Sequence, residues 1–211
     1  MTFNFKLFLR FAYRALFKSK GTHNRMTSKR LAVATAFYII YPLLELLNWT
    51  SFSLDEVLFP DYRNQEIRQP VFITGNPRSG TTFLYRLLAK DAQQFTCMRT
   101  WEILFAPSVI QRKFCMMIDN LDSVLGNPIK KSLRILQQNT LSDMVMHKLR
   151  LWEPEEDEYT LIHSWSTVAW GVYFILLDEV MPYAFFDTAL PLDEKQNVMN
   201  YYKRCVQRHL H

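Results

Sequence analysis

Val71 to Thr74 form a short apolar run, Gly75 to Gly80 supply a turn, and Thr81 to Lys90 continue at helical spacing. Phe83, Leu84, Leu87 and Leu88 then share one helical face. An apolar, β-branched run of this kind suits a strand buried on both faces of a parallel sheet. A helix that follows a glycine-bounded turn aims backbone N–H groups and the positive end of its dipole into the turn. Residues 71–91 therefore predict a strand–loop–helix cradle for a phosphate-like anion.

The loop chemistry narrows the anion. Gly75-x-x-x-x-Gly80-Thr81-Thr82 keeps the glycine spacing of a triphosphate-binding loop, but Thr81 stands where that loop needs its lysine. Without that cation the β and γ phosphates lose their main partner. Arg78 follows the rigid Pro77 and can make paired hydrogen bonds to a tetrahedral oxyanion. Ser79, Thr81 and Thr82 add hydroxyl donors.

Pro77-Arg78-Ser79-Gly80-Thr81-Thr82 resembles the 5′-phosphosulfate loop of sulfotransferases that use 3′-phosphoadenosine 5′-phosphosulfate (PAPS). The resemblance extends more weakly over roughly residues 55–210. It is closest to the bacterial-type group, with some likeness to protein-tyrosine sulfotransferases around the loop. It implies a P-loop-type three-layer α/β fold with a parallel sheet. It also implies PAPS as co-substrate, held by Gly75, Pro77, Arg78, Ser79, Gly80, Thr81 and Thr82, and no metal. Arg78 would neutralise the transferring sulfuryl group. Glu102, just beyond a second strand at Gln94 to Met98, would accept the proton of a hydroxyl or amine acceptor. A glutamate that caps a helix is the plain alternative for Glu102. Met146-His147 followed by Pro154-Glu155-Glu156-Asp157-Glu158 also resembles a pattern of the bacterial-type group, which makes His147 and Glu156 runner-up base or positioning residues. A solvated helix start is the plain reading of the acids.

A chain of 211 residues, 49% of them hydrophobic, suffices for one α/β domain with helical additions. The boundaries read as a helical arm over 1–50 and a sulfotransferase-like domain over 51–211. Cys97, Cys115 and Cys205 are scattered and odd in number, which favours reduced thiols in a cytoplasmic compartment. The net charge of +5 is uneven, for residues 1–30 carry eight of the 25 bases and none of the 20 acids. The remainder is net acidic, so a nucleic-acid-binding face is not expected.

Lys6, Arg10, Arg14 and Lys18 recur every four residues beside Phe5, Phe8, Leu9 and Phe11. The pattern suits a basic amphipathic helix at an anionic membrane surface, or equally a helix packed on the domain. An organelle transit peptide is a third reading. Leu31 to Leu44 holds only 14 uncharged residues and includes Pro42, short of the roughly 20 needed for a span. A buried or interfacial helix kinked near Pro42 is expected.

Further helices are expected over Val109 to Leu121, Pro128 to Leu136 and Leu192 to Leu210. An aromatic-rich helix is expected over 159–178, broken at Pro182. No third strand follows residue 178, and the family's 3′-phosphate half-site has no counterpart there. The chain is therefore expected to be the N-terminal portion of a longer enzyme, or a truncated product. Two other functions remain open beside sulfuryl transfer: a P-loop kinase or NTPase, and an inactive membrane-surface interaction protein.

Overall fold

The computed structural model describes residues 3–18, 27–76, 79–136 and 151–211. Helices dominate them: α1 (Phe5–Phe17), α2 (Ser28–Leu58), α3 (Thr81–Leu88), α4 (Thr100–Phe105) and α5 (Val109–Val124) come first. Then follow α6 (Pro128–Leu136), α7 (Ala169–Phe174), α8 (Leu177–Ala184), α9 (Phe186–Ala189) and α10 (Leu192–Leu210). Short 3-10 segments cover Pro60–Asn64 and Asp157–Ser164. The chain divides into two compact units, Met1–Ser53 with Glu158–Val206, and Leu54–Asp157 with Gln207–His211.

The first unit is built around aromatic rings. Phe11 and Trp165 are fully buried. Phe8 meets Trp165 edge-on at 4.9 Å, and the indoles of Trp165 and Trp170 stack at 4.1 Å. Edge-on and offset ring pairs stabilise beyond the area they bury. Helix α1 enters through Asn4, whose side chain accepts from the Leu7 N–H at 3.0 Å. On α2, Tyr41 donates to the Ile162 carbonyl at 2.8 Å, and Glu45 reaches His163 Nδ1 at 2.7 Å.

In the second unit, polar side chains organise the helix ends. Asp55 accepts from the Val109 and Ile110 N–H groups at 2.9 and 3.0 Å and from Arg208 Nε at 3.0 Å. Ser108 and Gln111 complete a capping box on α5. Asp122 accepts from the Ile129 and Lys130 N–H groups and so caps α6.

The expected α/β fold with a parallel sheet is not formed among the described residues. Residues 71–76 carry no regular secondary structure, with Val71 and Phe72 exposed. The expected second strand reduces to an isolated antiparallel bridge between Arg99 and Pro154. The physical reason is the lack of strand partners: a strand without a neighbour leaves its N–H and C=O groups to water. Helix α3 forms as expected, but Phe83, Leu84 and Leu87 are exposed because no sheet lies beneath them.

The helices over 109–124, 128–136 and 192–210 match the sequence pattern closely. Gly126 and Asn127, both at positive φ, make the break before α6. Three local expectations are corrected. The apolar run from Leu31 is part of one 31-residue helix with Pro42 inside it. Pro182 lies within α8 instead of ending a helix. The acidic run does not open a helix at Pro154: Glu153 and Glu155 pair through their backbone with Thr100 and Met98, and the 3-10 segment begins only at Asp157.

Candidate functional site

Gly75, Ser79, Gly80, Thr81 and Thr82 are described, whereas Pro77, Arg78 and His147 lie outside the described residues. Ser79 N–H donates to the Asn76 carbonyl at 3.1 Å, closing a turn. Gly80 adopts a left-handed φ of 90° and is the N-cap residue of α3. Gly75 approaches the turn so closely that an added Cβ would meet Ser79 Oγ at 2.7 Å and Thr81 Cγ2 at 2.9 Å.

The acid run closes on this loop. Thr82 Oγ1 donates to Glu156 Oε1 at 2.9 Å, and Arg86 lies 3.6 Å from Glu153. A carboxylate thus sits at the positive end of α3, where an anionic ligand was expected. A bound phosphate there would face like-charge repulsion.

Glu102 lies at the third position of α4, where its carboxylate accepts from the Arg99 N–H at 2.8 Å. The same oxygen is 3.7 Å from His209 Nδ1, and His209 Nε2 is 2.9 Å from Thr96 Oγ1. Burial lowers the His209 pKa, against the opposing pull of Glu102 and with help from Arg112. Burial also lowers Arg112. Thr96, His209 and Glu102 thus stand in line, with a hydrogen bond only between the hydroxyl and the imidazole. Tyr85 and Cys97 lie beside this cluster, and burial raises both pKa values. Sequence reasoning missed His209, because Glu102 and His209 are joined only by the fold.

A second surface lies in the first unit, on α2. Ala34, Tyr41, Glu45 and Asn48 are buried along one face. Ile39, Ile40, Leu43, Leu44, Leu46 and Leu47 are exposed. The polarity is inverted relative to a soluble helix, with Glu45 and Asn48 inward and leucines outward. Helix α2 is also long and apolar enough, by length and composition, to cross a membrane. The signal was present in the sequence, since Glu45, Asn48 and Asp55 punctuate an apolar helix at three- and seven-residue steps. Helix α1 adds a stripe of exposed Phe5, Leu9, Tyr13 and Phe17.

The geometry corrects the enzymatic expectations. The nucleotide-binding P-loop fold that PAPS requires depends on a parallel sheet to fix the loop, and the described residues form none. PAPS as co-substrate, sulfuryl transfer as the activity, and a sulfate acceptor as partner all lose that support together. No curated protein and no solved structure matches the chain. The model described as "Sulfotransferase family" does match residues 70–167, so this part of the chain is assigned to the sulfotransferase family.

Proposed function

We propose that the chain is a membrane-associated interaction protein without sulfotransferase activity, attached through the outward face of α2. The single observation that carries this reading is the inverted polarity of α2. Burying the exposed Ile39, Ile40, Leu43, Leu46 and Leu47 in the acyl boundary removes apolar area from water at about 25 cal/mol per Å². The opposite face of the helix is held by protein, through Tyr41 with the Ile162 carbonyl and Glu45 with His163. That arrangement favours a helix lying in the interface plane over one that spans. The eight bases and no acids of residues 1–30 favour an anionic surface. A kinase or NTPase reading gains nothing here, since it shares the missing sheet and lacks the loop lysine at Thr81.

Vesicle flotation tests the proposal. The full chain is expected to float with phosphatidylcholine–phosphatidylserine vesicles, and Leu43→Glu/Leu47→Glu to lose at least about tenfold in partitioning. Equal flotation of variant and parent, with unchanged helical circular dichroism, would overturn attachment through α2.

A further inference from the structure

Two bases of the α1 stripe, Arg10 and Arg14, are already engaged inside the first unit. Arg10 Nη1 is 2.8 Å from Glu179 Oε2, and Arg14 Nη1 is 2.8 Å from Glu179 Oε1. Arg14 also pairs with Asp178. Glu179 is nearly buried between the two guanidinium groups, while Asp178 is mostly exposed. Burial opposes ionisation of Glu179, but the hydrogen bonds from Arg10 and Arg14 outweigh it and lower its pKa. Hydrogen bonds from Asp178 and then Glu179 raise Arg14 above its ordinary value.

These pairs stand next to an apolar edge. At 100° per residue, the basic stripe Lys6, Arg10, Arg14 and Lys18 is about a quarter turn from the exposed Phe5, Leu9, Tyr13 and Phe17. A helix that inserts such an apolar stripe into a bilayer carries its neighbouring bases to headgroup depth. Arg10 and Arg14 would then meet lipid phosphates and carboxylates while still facing Asp178 and Glu179.

We propose that Asp178 and Glu179 form an electrostatic latch that competes with anionic lipid headgroups for Arg10 and Arg14. The inference rests on the membrane attachment proposed above and adds its regulation. An anionic surface exchanges one set of oxygen acceptors for another, and a neutral surface leaves the latch closed. Exchange is feasible because Arg10 is half exposed and Asp178 is mostly exposed, so headgroup oxygens can reach the pairs from outside. Helix α1 therefore engages in proportion to the surface charge of the bilayer.

The test compares the full chain with Asp178→Asn/Glu179→Gln on vesicles of phosphatidylcholine alone and of phosphatidylcholine with phosphatidylserine. The double variant is expected to bind anionic vesicles more tightly, by about fivefold for each arginine released, and neutral vesicles as the parent does. Asp187→Asn/Asp193→Asn removes the same net charge from exposed positions outside the latch, and is expected to gain less than half as much. An equal gain for this control would overturn the latch, as would no gain for Asp178→Asn/Glu179→Gln. Should the double variant lose helical circular dichroism, Asp178→Asn alone replaces it, with a gain expected and no gain overturning. A parent chain that binds neither vesicle sinks the membrane reading itself. A parent that binds both, with variants indistinguishable from it, sinks only the latch.

Discussion

Glu45 Oε1 and His163 Nδ1 lie 2.7 Å apart, and both side chains are almost wholly buried. Asn48 Nδ2 stands 3.2 Å from the same ring nitrogen. Removing the Glu45 carboxylate takes away one of the groups that face the buried imidazole, while Asn48 stays beside it. Glu45→Ala is therefore expected to destabilise the protein by about 1–3 kcal/mol, and Glu45→Gln by less. Urea denaturation followed by circular dichroism measures both. Equal losses for the two variants would show that side-chain volume, not the polar pair, decides the effect.

Ile175 ends α7 in the left-handed region, at φ 56° and ψ 44°, and its side chain is exposed. A β-branched residue is strained there, whereas glycine is not. Ile175→Gly is expected to stabilise by about 1 kcal/mol, read as a higher melting temperature. A lower melting temperature would mean that the isoleucine side chain contributes more than its backbone strain costs.

Gly171 has the opposite requirement. An added Cβ would overlap a methyl group of Val180 and crowd Leu177. Gly171→Ala is expected to cost about 1–3 kcal/mol through overpacking. Pairing it with Val180→Ala should recover part of that loss in a double-mutant cycle.

Burial holds His209 below its ordinary pKa of 6.5, against the pull of Glu102. The unfolded chain takes up this proton at higher pH than the folded chain does. Stability from this group is therefore full above about pH 7, falls as pH drops through the unfolded value, and levels off below the folded one. Urea midpoints between about pH 8 and pH 5 measure the slope, and His209→Gln is expected to flatten it. A slope unchanged in His209→Gln would place the titration elsewhere.

Asp55 joins three donors from distant segments: Val109 N–H, Ile110 N–H and Arg208 Nε. Asp55→Ala removes the acceptor of two N–H groups at the start of α5, while Arg208 keeps its contacts with Glu56 and Tyr62. A loss of about 1–3 kcal/mol is expected, and a smaller one for Asp55→Asn. Hydrogen exchange at the first turn of α5 would register the uncapping directly.

Local periodicity made much of the helical structure legible. Val109–Val124, Pro128–Leu136 and Leu192–Leu210 carry their apolar residues at three- and four-residue steps, and the fold honours them. The lack of a sheet among the described residues was not legible, because an apolar run such as Val71 to Thr74 becomes a strand only when a neighbour supplies hydrogen bonds. The same run without a neighbour is exposed chain. The loop's glycines kept their conformational role, with Gly80 left-handed and Gly75 in close approach. Its ligand could not be read from those glycines, since Glu156, 74 residues from Thr82 in sequence, arrives only through the fold. Helix α2 was under-read for a related reason. Glu45 seemed to end the apolar run, yet it is the inward face of a helix that continues to Leu58.

The stack of Trp165 on Trp170 gives the first unit an optical signature of its own. Two indoles 4.1 Å apart couple their electronic transitions, and that coupling vanishes when the rings separate. Trp101 and Trp152 belong to the second unit, so their emission reports a different part of the chain. Replacing those two with phenylalanine would leave near-ultraviolet ellipticity as a selective clock for the unfolding of the aromatic core.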